Sequence, residues 1–173
     1  MNAHEPDTDI EHRVRAHLHD LAADYDVVEI DPDYANTAAF CARYGYPEET
    51  SGNCILVASK TGPRTYAACV VPATAQLDVN RTVRKLMGVR KASFAPAEET
   101  VEVTGMLPDG VTPFGLPEGI PVYVAPELLD HERVIVGGGS RRIKINVDPE
   151  VFTRMPAAQV VAGLARPPKG GAG

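Results

Sequence analysis

Residues 101–119, VEVTGMLPDGVTPFGLPEG, hold four glycines (Gly105, Gly110, Gly115, Gly119) and three prolines (Pro108, Pro113, Pro117). Proline removes a backbone donor and glycine admits positive φ, so no regular element is expected to run through this stretch. Thr104-Gly105 closes the preceding element, Pro108-Asp109-Gly110 has the composition of a tight turn, and Val111-Thr112-Pro113-Phe114 re-enters extended structure. A loop built this way leaves main-chain N–H groups free to meet a ligand. The other reading is a plain surface connection between two strands.

Around that loop the chain reads as alternating helices and strands. Ile10, Val14, Leu18 and Leu21 fall on one face at the helical period, which predicts a helix over residues 9–23 with Thr8 or Asp9 as its cap. Residues 26–30 form a short strand, and residues 36–43 a second helix stopped by Gly45 and Pro47. The apolar runs NCILVAS (53–59) and TYAACVV (65–71), separated by turn residues, predict a central β-hairpin buried on both faces. A helix capped by Asp78 follows to Met87, then an extended segment at 92–94 and a brief helix led by Pro96. Beyond the loop, strands are expected over 121–124 and 133–136, joined through Gly137-Gly138-Gly139 to a half-exposed strand at 142–147. That strand alternates Arg142, Lys144 and Asn146 with Ile143, Ile145 and Val147. Asp148-Pro149 starts a helix, residues 157–164 supply a last one, and the chain ends in a frayed tail.

At 173 residues and 44% hydrophobic, the chain has the length for one sizeable core. No run of 18 apolar residues occurs, and MNAHEPDTDIEHR lacks the basic and apolar regions of a signal peptide; a cytoplasmic protein without membrane contact is expected. Cys41, Cys54 and Cys69 form no CxxC pair, and His12, His17 and His19 share a helix without a recognised ligand spacing. Neither a disulfide nor a metal or other cofactor is expected. The net charge of −6 argues against a stand-alone nucleic-acid binder. The acidity is nevertheless concentrated in residues 1–33, where ten acids face only Arg13 and Arg15. Basic residues gather at Arg81, Arg84, Lys85, Arg90 and Lys91, and again at Arg141, Arg142 and Lys144. Each cluster reads either as a phosphate contact or as a solvated face.

Four motifs in order, CVVPATAQLDVNRTVRKLMGVRKASFAP, TGMLPDGVTPFGLP, PVYVAPELLD and VIVGGGSRRIKI, resemble the YbaK/prolyl-tRNA-synthetase-associated domain family of aminoacyl-tRNA editing proteins. The resemblance covers residues 24–165, with 1–23 as an acidic leader and helix packed on the domain and 166–173 as a disordered tail. It implies a single compact α/β domain on a mixed, strongly curved, barrel-like sheet surrounded by helices. It also implies binding of the aminoacyl-tRNA 3′ end and hydrolysis of mischarged amino acids in trans. The protein partners it implies are an aminoacyl-tRNA synthetase or an elongation factor; the oligomeric state stays open.

Carried over residue by residue, the family's loop looks like Asp109-Gly110-Val111-Thr112-Pro113, with Asp109 where glycine is usual and Phe114 following. Its second glycine-rich turn looks like Gly137-Gly138-Gly139-Ser140, where close backbone approach to substrate favours glycine. Ser140 follows no GxSxG elbow and reads as a turn residue or donor. The resemblance implies Asn53, Gly110 and Thr112 as catalytic residues, and Asp109, Val111, Pro113, Phe114 and Gly137 to Ser140 as substrate-binding ones. Arg84, Lys85 and Arg141 would contact tRNA phosphates. The family's lysine before the first central strand falls at Asn53, a neutral amide with donors but no charge. Lys60 stands seven residues away, roughly 23 Å along an extended strand and on its opposite face, so it is no substitute. Three readings follow: a deacylase with loop N–H groups as oxyanion hole and assistance from the ribose hydroxyl; a non-catalytic binder of aminoacyl-tRNA ends, a nucleotide or a small amino-acid derivative; and a protein–protein module with a vestigial cleft.

Overall fold

The central hairpin forms where the two apolar runs predict it. In the computed structural model, which describes residues 5–168, α1 (Glu5–Asp20) is followed by β1 (Tyr25–Glu29) and α2 (Thr37–Tyr44). The hairpin strands β2 (Gly52–Ser59) and β3 (Tyr66–Pro72) come next, and then β4 (Gln76–Leu77), α3 (Arg84–Met87), β5 (Ala92–Phe94) and α4 (Ala97–Thr104). The long loop leads to β6 (Val122–Val124), β7 (Val134–Gly137), β8 (Ile143–Val147), β9 (Ala158–Val160) and β10 (Ala165–Arg166). β3 lies at the middle of a five-stranded mixed sheet, order β5-β2-β3-β6-β9, antiparallel to β2 and parallel to β6. A second sheet, β1-β8-β7, is antiparallel, and β4 pairs with β10. A single bridge from Ser51 to Ile135 joins the two larger sheets. Where one strongly curved, barrel-like sheet is expected, the strands divide into three sheets, and none of them closes on itself.

Strand alternation sends β3 into two cores. Ala68 and Val70 face a cluster with Val14, Leu18, Phe114, Val124, Val136, Ile145 and Phe152; Ala67, Cys69 and Val71 face another with Val57, Val83, Tyr123 and Leu164. β3 is therefore buried on both faces, whereas Asn53, Cys54 and Ile55 at the start of β2 are only half-buried. The apolar stripe of α1 behaves as its spacing requires, with Ile10, Val14 and Leu18 all buried. A third cluster gathers Phe40 and Cys41 of α2 with Ile30, Ala35 and Ile135.

Several elements differ from expectation. α1 starts one turn earlier and ends at Asp20. Asp78 precedes a π-helical turn, Val79–Val83, and its carboxylate accepts from Thr82 Oγ1 (3.0 Å) instead of capping the backbone. α4 runs through Val101 to Thr104, so the loop proper begins at Gly105, and residues 111–114 form no strand. The expected helix over 157–164 is instead β9 and a turn, because residues 158–160 pair in parallel with β6 and complete the sheet. In the expected tail, Arg166 pairs with Gln76 in β10; residues 169–173 lie outside the described part. Among the described residues no helix is long and apolar enough to cross a membrane.

Candidate active site

α2 is set by its cap. The Asn36 side chain accepts from the Ala38 and Ala39 N–H groups (3.1 and 3.3 Å), and Gly45 closes the helix in the left-handed region. This brings Thr37 beside the start of β2, where its hydroxyl donates to Asn53 Oδ1 (2.7 Å). The Asn53 carbonyl is thereby occupied, which leaves the two amide hydrogens as its donors. Asn53, Asn36, Thr37 and Glu48 line a cleft of about 380 Å³ whose other wall is Asp109, Val111, Gly137 and Lys144.

The two glycine-rich segments pack on each other by main chain. Gly139 N–H donates to Gly110 O (2.7 Å), Leu107 N–H to Gly139 O (3.0 Å), and Gly110 N–H to Leu107 O (2.9 Å). A Cβ on Gly110 would lie 2.9 Å from the Ser140 carbonyl carbon, and one on Gly137 would lie 2.9 Å from the Gly110 carbonyl carbon. In this structure these glycines permit one loop to approach the other, and the Gly110 N–H is engaged inside its own loop. Asp109 takes φ +64, the left-handed region that glycine adopts freely and Asp tolerates better than most residues. Its carboxylate meets Arg141 Nη1 at 2.8 Å.

The other expected site residues are held elsewhere. Thr112, Pro113 and Phe114 are buried behind the cleft wall, with Phe114 stacked on Phe152 at a centroid distance of 5.8 Å. The Thr112 hydroxyl is buried without a hydrogen-bond partner. Gly138 packs on Ile143 and Gly139 on Ile10. Ser140 donates to Glu11 Oε1 (2.6 Å) and accepts from the Arg142 N–H (3.1 Å). Arg141 binds Asp109, Pro108 O and Pro32 O, and Arg142 binds Glu11 at 3.0 Å. The acidic N-terminal helix thus occupies part of the second basic cluster. Arg84 folds back on Asn80 O (2.9 Å), and Lys85 is exposed on α3; neither lines the cleft.

Lys144 is the residue that sequence pattern misplaces. Alternation with Ile143 and Ile145 puts it on the outer face of β8, where solvent is expected, yet it is only 5% exposed. β8 is the middle strand of its sheet, and the segment carrying Ala35 and Phe40 covers that outer face. The ammonium donates to Ala35 O (2.7 Å) and Asp109 O (3.0 Å) and lies 5.7 Å from the Phe40 ring centroid. Among the described residues no carboxylate forms an ion pair with it. Burial pulls its pKa down to about 8, with Asp109 and Cys41 opposing the shift and Arg141 adding to it. Burying an ammonium costs several kcal/mol, and two hydrogen bonds to neutral carbonyls offset that only in part. A buried lysine with a lowered pKa that lines a cleft is a candidate functional residue.

Cys54 also lines the cleft, but burial pushes its thiol pKa up, away from the thiolate form that a nucleophile uses. Among the described residues no group of three or more His, Cys, Asp or Glu side chains is arranged to hold a metal ion.

Residues 31–155 match the sequence pattern of the aminoacyl-tRNA editing domain, and this span contains every residue of the cleft. The chain belongs to the aminoacyl-tRNA editing domain family. Among relatives of this family, it is 28% identical over 105 residues to EbsC of Enterococcus faecalis, a candidate Cys-tRNA(Pro)/Cys-tRNA(Cys) deacylase. That match spans 61% of this chain and 62% of the relative, so it covers under two thirds of the length of EbsC. The editing-domain fold is shared with the crystal structure of a candidate trans-editing enzyme for prolyl-tRNA synthetase, at TM-score 0.75 and 22% identity, covering 92% of this chain and 98% of that one. It is shared as well with a hypothetical protein, APE2540, at TM-score 0.78 and 26% identity, covering 89% of this chain and 99% of that one. α1 lies outside the family match, although it packs into the same core.

Proposed function

We propose that the protein hydrolyses mischarged aminoacyl-tRNA in trans, with residues 24–165 as the editing unit. The observation that carries this reading is the cleft itself: Asn53, Asp109, Val111 and Gly137, distant in sequence, line one cavity within the span matching the editing family. The terminal adenosine and its ester enter between α2 and the 105–119 loop. Water adds to the ester carbonyl, and the ribose oxygen leaves with a proton. The Asn53 amide hydrogens, left available by the bond from Thr37, orient the ester or the attacking water. The neighbouring ribose hydroxyl assists the attack. Arg84 and Lys85, away from the cleft, contact phosphates further along the tRNA. The name of the EbsC relative makes cysteinyl esters the first substrates to try.

The binding-only alternative starts from the lysine missing at Asn53, and what supports the deacylase over it is the positive charge that Lys144 brings to the same cleft. The test is deacylation by the purified protein of prolyl-tRNA charged with Cys, Ala, Ser or Thr, and of Cys-tRNA(Cys). Selective hydrolysis is expected, with kcat lowered about 10²-fold by Asn53→Ala, the scale of one lost oxyanion donor. No hydrolysis by the native protein, with activity gained by Asn53→Lys, would favour the binding role.

A further inference from the structure

We propose that Lys144 is a catalytic residue of this site: its ammonium, delivered from β8 across the cleft from Asn53, takes the ester oxygen on which negative charge develops. The inference rests on the deacylase reading and names the cation within it. Two of the three ammonium hydrogens are bound, one to Ala35 O on the α2 side and one to Asp109 O on the loop side, so the head group is fixed between the two lips of the cleft. The third hydrogen is left for a ligand in a cleft that the lysine itself lines. Both anchors are neutral carbonyls. The carboxylate of Asp109, whose main-chain carbonyl is one of the two anchors, is drawn off by Arg141 at 2.8 Å, and among the described residues no carboxylate forms an ion pair with the ammonium. A buried, positioned and unneutralised cation is the arrangement that stabilises an oxyanion in a site shielded from water. A lysine at position 53 would bring the same charge from β2; here it arrives from β8, across the cleft.

A purely structural lysine, tying two segments together, predicts something different, and the two are separable. Hydrolysis of Cys-tRNA(Pro) is measured for the native protein, Lys144→Met, Asn53→Lys and the double variant Asn53→Lys/Lys144→Met, with melting temperatures for each. The expected result is a loss of at least tenfold in kcat for Lys144→Met and recovery of at least threefold of that loss in the double variant, where the charge has changed walls but the tie between the lips is gone. Native kcat in Lys144→Met, or a loss that Asn53→Lys leaves untouched in a folded double variant, overturns the inference while leaving the deacylase reading standing. Absence of hydrolysis by the native protein across the whole panel overturns the deacylase reading and this inference with it. If Lys144→Met fails to fold, the native protein decides. The Lys144 side-chain NMR resonance is followed as a 3′-cysteinylamido-3′-deoxyadenosine probe, whose amide resists hydrolysis, is added to saturation. A shift of that resonance is expected, and a resonance that stays in place overturns the inference.

Discussion

Gly110 has no room for a methyl group: its added Cβ would press on the Ser140 carbonyl, and the neighbouring backbone is pinned by the Gly139-to-Gly110 hydrogen bond. Gly110→Ala is expected to cost about 1–3 kcal/mol as overpacking and to lower the melting temperature by several degrees. A thermal melt at unchanged Tm would show that the loops part more easily than their contacts imply. The sequence marks this glycine as special but not the reason, because the partner that excludes a side chain comes from residues about 30 positions later. Asp109 is a similar case. A left-handed φ accounts for a position that accepts glycine or Asp, and its carboxylate faces Arg141, which composition alone does not reveal. Lys144 escapes pattern reading altogether, since period-two alternation tells which face a residue lies on and not whether another segment covers that face.

At the scale of elements, α1 acts as a buckle across the loop. His17 Nδ1 accepts from the Gly115 N–H (2.8 Å), its ring lies edge-on to Phe114, and Arg13 donates to Gly115 O (2.8 Å) and to Thr104 O. Burial lowers the His17 pKa, and Asp20 on the same helix opposes this more weakly. The folded state therefore favours the neutral ring. Its contribution is complete above the unfolded value of about 6.5 and is lost as pH falls through the lower folded value. Amide exchange at Gly115, corrected for the intrinsic rate, is expected to show less protection at pH 5.5 than at pH 7.5; equal protection would refute the buckle. The helical stripe of α1, the hairpin and the stop of α2 at Gly45 are legible in the sequence because each depends on near neighbours. The strand at 158–160 is not, because its extended form is imposed by parallel pairing with β6, more than 30 residues earlier.

At the scale of the whole molecule, the core extends beyond the residues that define the family. Val14 and Leu18 are fully buried against the sheet, and each is worth roughly 1.5–3 kcal/mol of burial. Their sum is a large share of the roughly 5–15 kcal/mol that holds a typical domain together. Deleting residues 1–22 is expected to expose this face, giving a protein that binds a hydrophobic dye and melts at least 10 °C lower. A truncated chain melting with the native one would show α1 to be an ornament. The same helix has a thermodynamic consequence for the cleft. Because Glu11, Arg13 and His17 hold both glycine-rich loops before any ligand arrives, the entropy of ordering those loops is met during folding. Association with a tRNA end should then proceed as rigid-body docking, with a calorimetric heat-capacity change set by the contact area alone and without the excess that coupled folding adds.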